Sequence, residues 1–173
     1  MLQLRCTAKA RKLAKIKDSD LSEPIADNTT LGGWYLNVFQ LGRRKAFIFM
    51  NERTLLSFII FGVRSDNLKN FISSFQLGLV QVLEMIGAKQ GQMEYVLSEY
   101  ESYCYTKTIS KSVIGNMNDL VDMYQHMVWY EGGLENCDLS AIIFKINQTP
   151  QRNIDWNYSS TLAMEILENE AAI

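Results

Sequence analysis

The chain opens on a strict alternation. In "LQLRC" Leu2, Leu4 and Cys6 fall on one side and Gln3 and Arg5 on the other, the period-two pattern of a half-buried strand. Thr7 stands where a cap belongs, ahead of a helix over 8–16 rich in Ala, Lys and Leu. Residues 17–33 are polar and contain Pro24 and the pair Gly32–Gly33. That composition predicts a long, mobile surface loop.

Three apolar runs follow, over 34–41, 45–50 and 55–63, dense in aromatic and β-branched residues. The joints "GRR" and "NERT" are short enough for hairpins, so the runs predict an antiparallel meander. The third run is apolar almost throughout, as in a central strand covered on both faces. Next, Leu68, Phe71, Ile72, Phe75, Leu79, Val82, Leu83 and Ile86 recur at helical spacing. Ser65 or Asp66 is placed to start this helix and Gly87 to end it. Gly78, inside it, costs about 1 kcal/mol against alanine and points to close packing on the sheet.

Residues 92–100 read as a short helix, 102–108 as a strand and 116–133 as a helix, with Asn116 or Asn118 as its cap. A helix over 138–147 is favoured by Leu139, Ile142, Ile143 and Ile146, although "AIIFKI" also suits a strand. A last helix runs from Ser159 or Ser160 to about Glu168. The pattern as a whole predicts an α+β fold: one domain over 1–173, with an antiparallel sheet (a meander plus the N-terminal strand) packed by four to six helices.

Composition adds little to this until charge is located. With 173 residues, 47% apolar and 21% charged, the chain can bury about 70% of its unfolded surface and requires no disulfide or metal staple. The net charge of −2 hides an asymmetry. Residues 1–17 carry six cations (Arg5, Lys9, Arg11, Lys12, Lys15, Lys17) and no acid, whereas 131–173 carry seven acids against Lys145 and Arg152. The basic start is either the solvated face of one helix or an anion-binding face. Cys6, Cys104 and Cys137 lie far apart, with no CxxC spacing and a single histidine, His126. Neither a zinc site nor a disulfide framework is expected. No apolar run follows the basic start, and the longest one, 54–63, is too short to span a bilayer. A cytoplasmic protein without membrane contact is expected.

Two places offer chemistry. "GRRK" puts Arg43, Arg44 and Lys45 at a hairpin tip, where guanidinium forks suit phosphates or carboxylates. With Arg5 and Arg11 they would form a cationic face, and Trp34, Tyr35 and Phe39, if exposed, would stack bases. The plain reading is a charged tip over a strand whose aromatics pack inward. The second place is "TISKSVIGNMNDL", a strand-to-helix turn with Lys111, Ser112, Asn116 and Asn118. A helix N-terminus favours anions, but the spacing is no phosphate loop, and capping alone accounts for these residues. His126, Asp119 and Asp122 form no recognisable catalytic or metal set, and no cofactor is implied.

The segments "LQLRCTAKA", "GGWYLNVFQLGRRKAFIFMNERTLLSF", "TISKSVIGNMNDL" and "KINQTP" together resemble an uncharacterised bacterial and phage family, a domain of unknown function. The resemblance implies a small cytosolic single-domain protein, sometimes carried on mobile elements, and supplies no catalytic residues. Where that family's pattern has an arginine before the serine of the third segment, this chain has Lys111. The expected function is non-enzymatic binding: docking onto a protein or nucleic-acid partner through a cationic surface, plausibly as an accessory of mobile elements or of defence against them. The alternative is a small enzyme or ligand binder for a phosphorylated or carboxylated molecule at the Lys111–Asp119 turn.

Overall fold

Five strands form one sheet: β1 (Leu2–Cys6), β2 (Trp34–Leu41), β3 (Arg44–Asn51), β4 (Ser57–Phe61) and β5 (Tyr103–Lys107), in the order β4-β3-β2-β1-β5. The structure is a computed structural model and describes residues 1–61 and 68–170. β2, β3 and β4 make the expected antiparallel meander, with Trp34 opposite Asn51 and Met50 opposite Ser57. β1 departs from expectation. It runs parallel to both of its neighbours, pairing Arg5 with Tyr35 of β2 and with Thr106 of β5, so the sheet is mixed. Its place between two strands also buries all five of its residues, Gln3 and Arg5 included.

Six α-helices and a small two-stranded hairpin complete the fold: α1 (Ala8–Ala14), α2 (Leu68–Met85), α3 (Gln90–Glu99), α4 (Lys111–Tyr130), α5 (Leu139–Asn147) and α6 (Ser159–Glu170), with β6 (Pro150–Gln151) and β7 (Asn157–Tyr158). Among the described residues no helix is long and apolar enough to cross a membrane.

The strand alternation assigns the two faces of the sheet. On one face Trp34, Phe49 and Phe58 meet Phe71 and Phe75 of α2, and Phe75 in turn meets Tyr100 beyond α3, with ring centroids 5.1–6.3 Å apart. Gly78 allows this approach, since a Cβ there would stand 2.5 Å from Phe58. Gly87 ends α2 as expected, at φ 93°. The Ser65 or Asp66 cap, and the end of the third apolar run at Val63, lie outside the described residues. On the other face α4 and α5 pack through polar anchors. Tyr124 and Asn147 both converge on Ser57 of β4: Asn147 donates to its carbonyl at 2.7 Å and accepts from its N–H at 2.9 Å.

The polar 17–33 segment is tied to the body along its length. Leu21 bridges to Tyr105 at the β5 edge, and Gln3 exchanges hydrogen bonds with the backbone of Ile25. Both carboxylate oxygens of Glu99 accept from the Thr30 N–H, and Arg53 donates to the Thr30 carbonyl. Nothing in its local composition announces these partners, which lie 22–84 residues away.

α4 corrects a boundary. It begins at Lys111, and its cap is Ser110, whose hydroxyl accepts from the Val113 N–H. Asn116 and Asn118 therefore lie within the helix. The exposed Gly115 is tolerated in mid-helix because nothing else interrupts the first turns.

Candidate anion-binding groove

Three lysines face one depression. Thr7 caps α1 by accepting from the Ala10 N–H, and Ala10 and Ala14 are buried. With that stripe facing inward, Lys9 and Lys12 fall three residues apart on the outer part of the helix, neighbours at about 5–6 Å. Leu13 lies beside them, half-buried. Across from α1 stands the end of the β2–β3 hairpin. Gly42, at φ 59°, makes the two-residue turn there, so Lys45 pairs with Gln40 and both share a sheet face with Val38. Together these residues and the edge of Phe39 line a groove of about 520 Å³. Cations stand on both walls, Leu13 and Val38 form the floor, and the Gln40 side chain is held by donating to the Gly42 carbonyl at 3.0 Å.

The lysines are uncommitted. Among the described residues Lys9, Lys12, Lys45 and Arg43 form no ion pair. Arg43 is exposed at the tip, and the Arg44 guanidinium lies 6.0 Å from the Phe61 ring.

The other cations named from the sequence serve elsewhere. Arg5 is buried and is not available to a partner. Its guanidinium pairs with Asp27 at 3.0 Å and Glu52 at 2.6 Å and lies 5.8 Å from the centre of the Tyr35 ring. Gly33 is needed beside it, because a Cβ there would overlap the guanidinium. Burial raises Glu52 above the ordinary carboxylate value, with Arg5 opposing and Asp27 adding to the rise; desolvation thus outweighs even a close guanidinium. Arg11 is half-buried and paired with Asp18, clipping α1 to the short 3-10 turn at Asp18–Asp20.

Lys111, Ser112 and Asn118 are exposed and Asn116 half-buried, on the helix that covers the opposite sheet face. The buried Tyr35 hydroxyl lies beneath this turn without a hydrogen bond of normal geometry. Its raised pKa comes first from burial and from Glu52, with the backbone of Ile109 and Ser110 opposing. Of the sequence candidates only Lys45 lines the groove, with Arg43 at the tip beside it; Lys111, Ser112, Asn116 and Asn118 lie on the helix of the other face, and Arg5 and Arg11 are committed elsewhere.

Trp34, Tyr35 and Phe39 are core residues, as the plain reading of the strand has it, and offer no base-stacking surface on β2. Trp129 and Tyr130 are largely exposed at the end of α4, and exposed His126 lies 6.4 Å from the Trp129 ring. Cys6 is buried and its thiol is pushed up to about 12, a structural thiol rather than a nucleophile. Among the described residues no three His, Cys, Asp or Glu side chains cluster as metal ligands. The signal for the groove that sequence reading undervalued is the Lys9/Lys12 spacing, overshadowed by the arginines around it.

Residues 3–162 match the family described as a domain of unknown function, DUF6933. The chain belongs to this family. No curated protein matches it. The DUF6933 match spans α1, the hairpin and α4, so the groove and the Lys111 turn both fall inside the family domain.

Proposed function

We propose that this DUF6933 protein is a non-enzymatic binding protein that docks an anionic partner through the α1–hairpin groove. The observation that carries the reading is the convergence of Lys9, Lys12 and Lys45, each exposed and without an ion-pair partner among the described residues, on one depression with Arg43 beside it. Uncompensated cations on facing walls sum their fields and attract an anion, whereas a cation paired with a carboxylate does not. The slightly acidic net charge is no obstacle, because no acidic residue is among those lining the groove.

The Lys111 turn supports a small-anion site less well. One of its orphan amides, that of Val113, is met by the Ser110 cap, and Lys111 and Ser112 stand exposed.

Retention on immobilised heparin tests the docking reading. Lys9→Ala/Lys12→Ala/Lys45→Ala should elute at clearly lower salt than the wild type, while Lys111→Ala elutes with the wild type. Equal elution of the groove variant and the wild type, at matched thermal stability, would remove the groove from the account.

A further inference from the structure

Resting on that reading, we infer that the groove takes a single strand of nucleic acid, with phosphates on its lysine walls and a base on its floor. Three features narrow the class of partner. First, the cations are spread rather than gathered at a point. Lys9 and Lys12 stand three residues apart on α1, Lys45 lines the groove from β3, and Arg43, outside the lining, is exposed at the hairpin tip two residues before Lys45, so the charges are spread over two elements. Such a spread suits a repeating anion more than one carboxylate or one phosphate.

Second, the floor between the cations is apolar. Leu13 and Val38 are only half-buried, so they keep surface for a ligand. A run of acidic side chains alone places only charged groups beside that floor. A nucleotide strand carries a base beside every phosphate, and the flat face of a base packs on such apolar side chains, a weaker platform than the aromatic rings that stack bases in other single-strand binders. Gln40 stands at the edge of this floor with its Nε2 donating to the Gly42 carbonyl and its backbone carbonyl accepting from Gln125, which leaves its side-chain Oε1 to accept from a base edge.

Third, the depression measures about 520 Å³, within the range of sites that enclose a small ligand, about 300–1,000 Å³. That volume admits a nucleotide or two. A duplex keeps its base faces stacked inside and presents its backbone and base edges, so no base face would cover the floor.

The account gives numbers to measure. Four phosphate contacts (Lys9, Lys12, Lys45 and Arg43) give a slope of log affinity against log salt of about −3 for a single strand. Between 50 and 200 mM salt the affinity should fall about 50-fold. In the triple lysine variant the slope should flatten to about −0.7, the value of one remaining contact.

The experiment is fluorescence anisotropy of the full chain with four probes of equal length and label: an oligothymidylate, the same backbone without bases, a duplex, and poly-glutamate. Methyl NMR of Leu13 and Val38 is recorded alongside. Tighter binding of the oligothymidylate than of the other three, with ring-current shifts of both methyl groups, supports the inference. Equal affinity for the oligothymidylate and the abasic strand, with unmoved methyls, overturns it and leaves a groove that reads charge alone. A duplex or poly-glutamate that binds as tightly as the oligothymidylate likewise overturns it while the docking reading stands. If no probe binds at low salt, both fall. Leu13→Gln, on a half-exposed helix position, supplies a second readout: it should weaken the oligothymidylate several-fold and leave the abasic strand unchanged, and the opposite pattern counts against the floor.

Discussion

The buried guanidinium of Arg5 allows a prediction in which the order of the effects matters more than their size. The Arg5 side chain is 3% exposed, whereas its partners Asp27 and Glu52 are each 24% exposed. Removing one partner of a buried pair costs about 3–5 kcal/mol because the survivor is a buried charge without compensation. In Asp27→Asn/Glu52→Gln the survivor is Arg5, which cannot reach water, so the full penalty applies. In Arg5→Met the survivors are two carboxylates with a path to solvent, and Asp27 keeps its 2.6 Å hydrogen bond from Gln3. Methionine also refills most of the space under the Tyr35 ring. Arg5→Met should therefore cost about 1–3 kcal/mol, in the ordinary range for a point change. At this chain length the two variants correspond to Tm losses of about 6–20 °C and about 2–12 °C. Urea denaturation at pH 7 with a common slope gives the ordering directly, and the variant lacking all three groups should be no less stable than the acid double variant. An Arg5→Met protein less stable than Asp27→Asn/Glu52→Gln would refute the argument from asymmetric burial. Arg5→Met should also retain wild-type heparin elution, since Arg5 faces no partner.

Three further outcomes follow from particular contacts. The folded state holds the Glu52 proton more tightly than the unfolded chain does. That contribution is complete below the unfolded value near 4.5 and is lost as pH rises through the folded value. Glu52→Gln should therefore lose less stability than the wild type between pH 4.5 and neutrality, measured as Tm against pH; parallel curves would count against the raised value. Gly78→Ala should destabilise by about 1–3 kcal/mol through its clash with Phe58, against the gain of about 1 kcal/mol that helix propensity alone would give; a rise in Tm would contradict the close packing. Ser110→Ala should cost about 0.5–2 kcal/mol as the loss of the α4 cap, whereas Asn118→Ala, exposed within the helix, should stay within about 0.5 kcal/mol of the wild type. The reverse ranking would restore the later helix start.

Periodicity, with cap and composition signals for the first and last helices, located all six α-helices and all five main strands among the described residues, because apolar spacing records which side of an element meets the core. These signals carry no information about strand partners. The parallel placement of β1 was nevertheless written in the connections: a helix separates β1 from β2, and two helices separate β4 from β5. Crossovers of that length are what parallel pairs require. The reading of Arg5 as an outward contact failed for a different reason. Alternation assigned it to a polar face, but that face is covered by α4 and by the 25–33 segment, and its counter-charges come from 22 residues away and from Glu52. The small β6–β7 hairpin escaped notice because Asp155 and Trp156, at φ 54° and 60°, are not turn-forming glycines. At the candidate site the hairpin cations were legible as a charge run. The pairing of α1 with the hairpin end, which turns a run into a groove, depends on packing that a single sequence does not spell out.

The most direct test of the docking account is the salt dependence of oligothymidylate binding, measured on the wild type and on Lys9→Ala/Lys12→Ala/Lys45→Ala. The account predicts a steep slope, about −3, that flattens to about −0.7 when the three lysines are gone. A slope that is the same in both proteins, or a wild type indifferent to salt, would show that these side chains are solvated surface and that the partner, whatever its chemistry, meets the protein elsewhere.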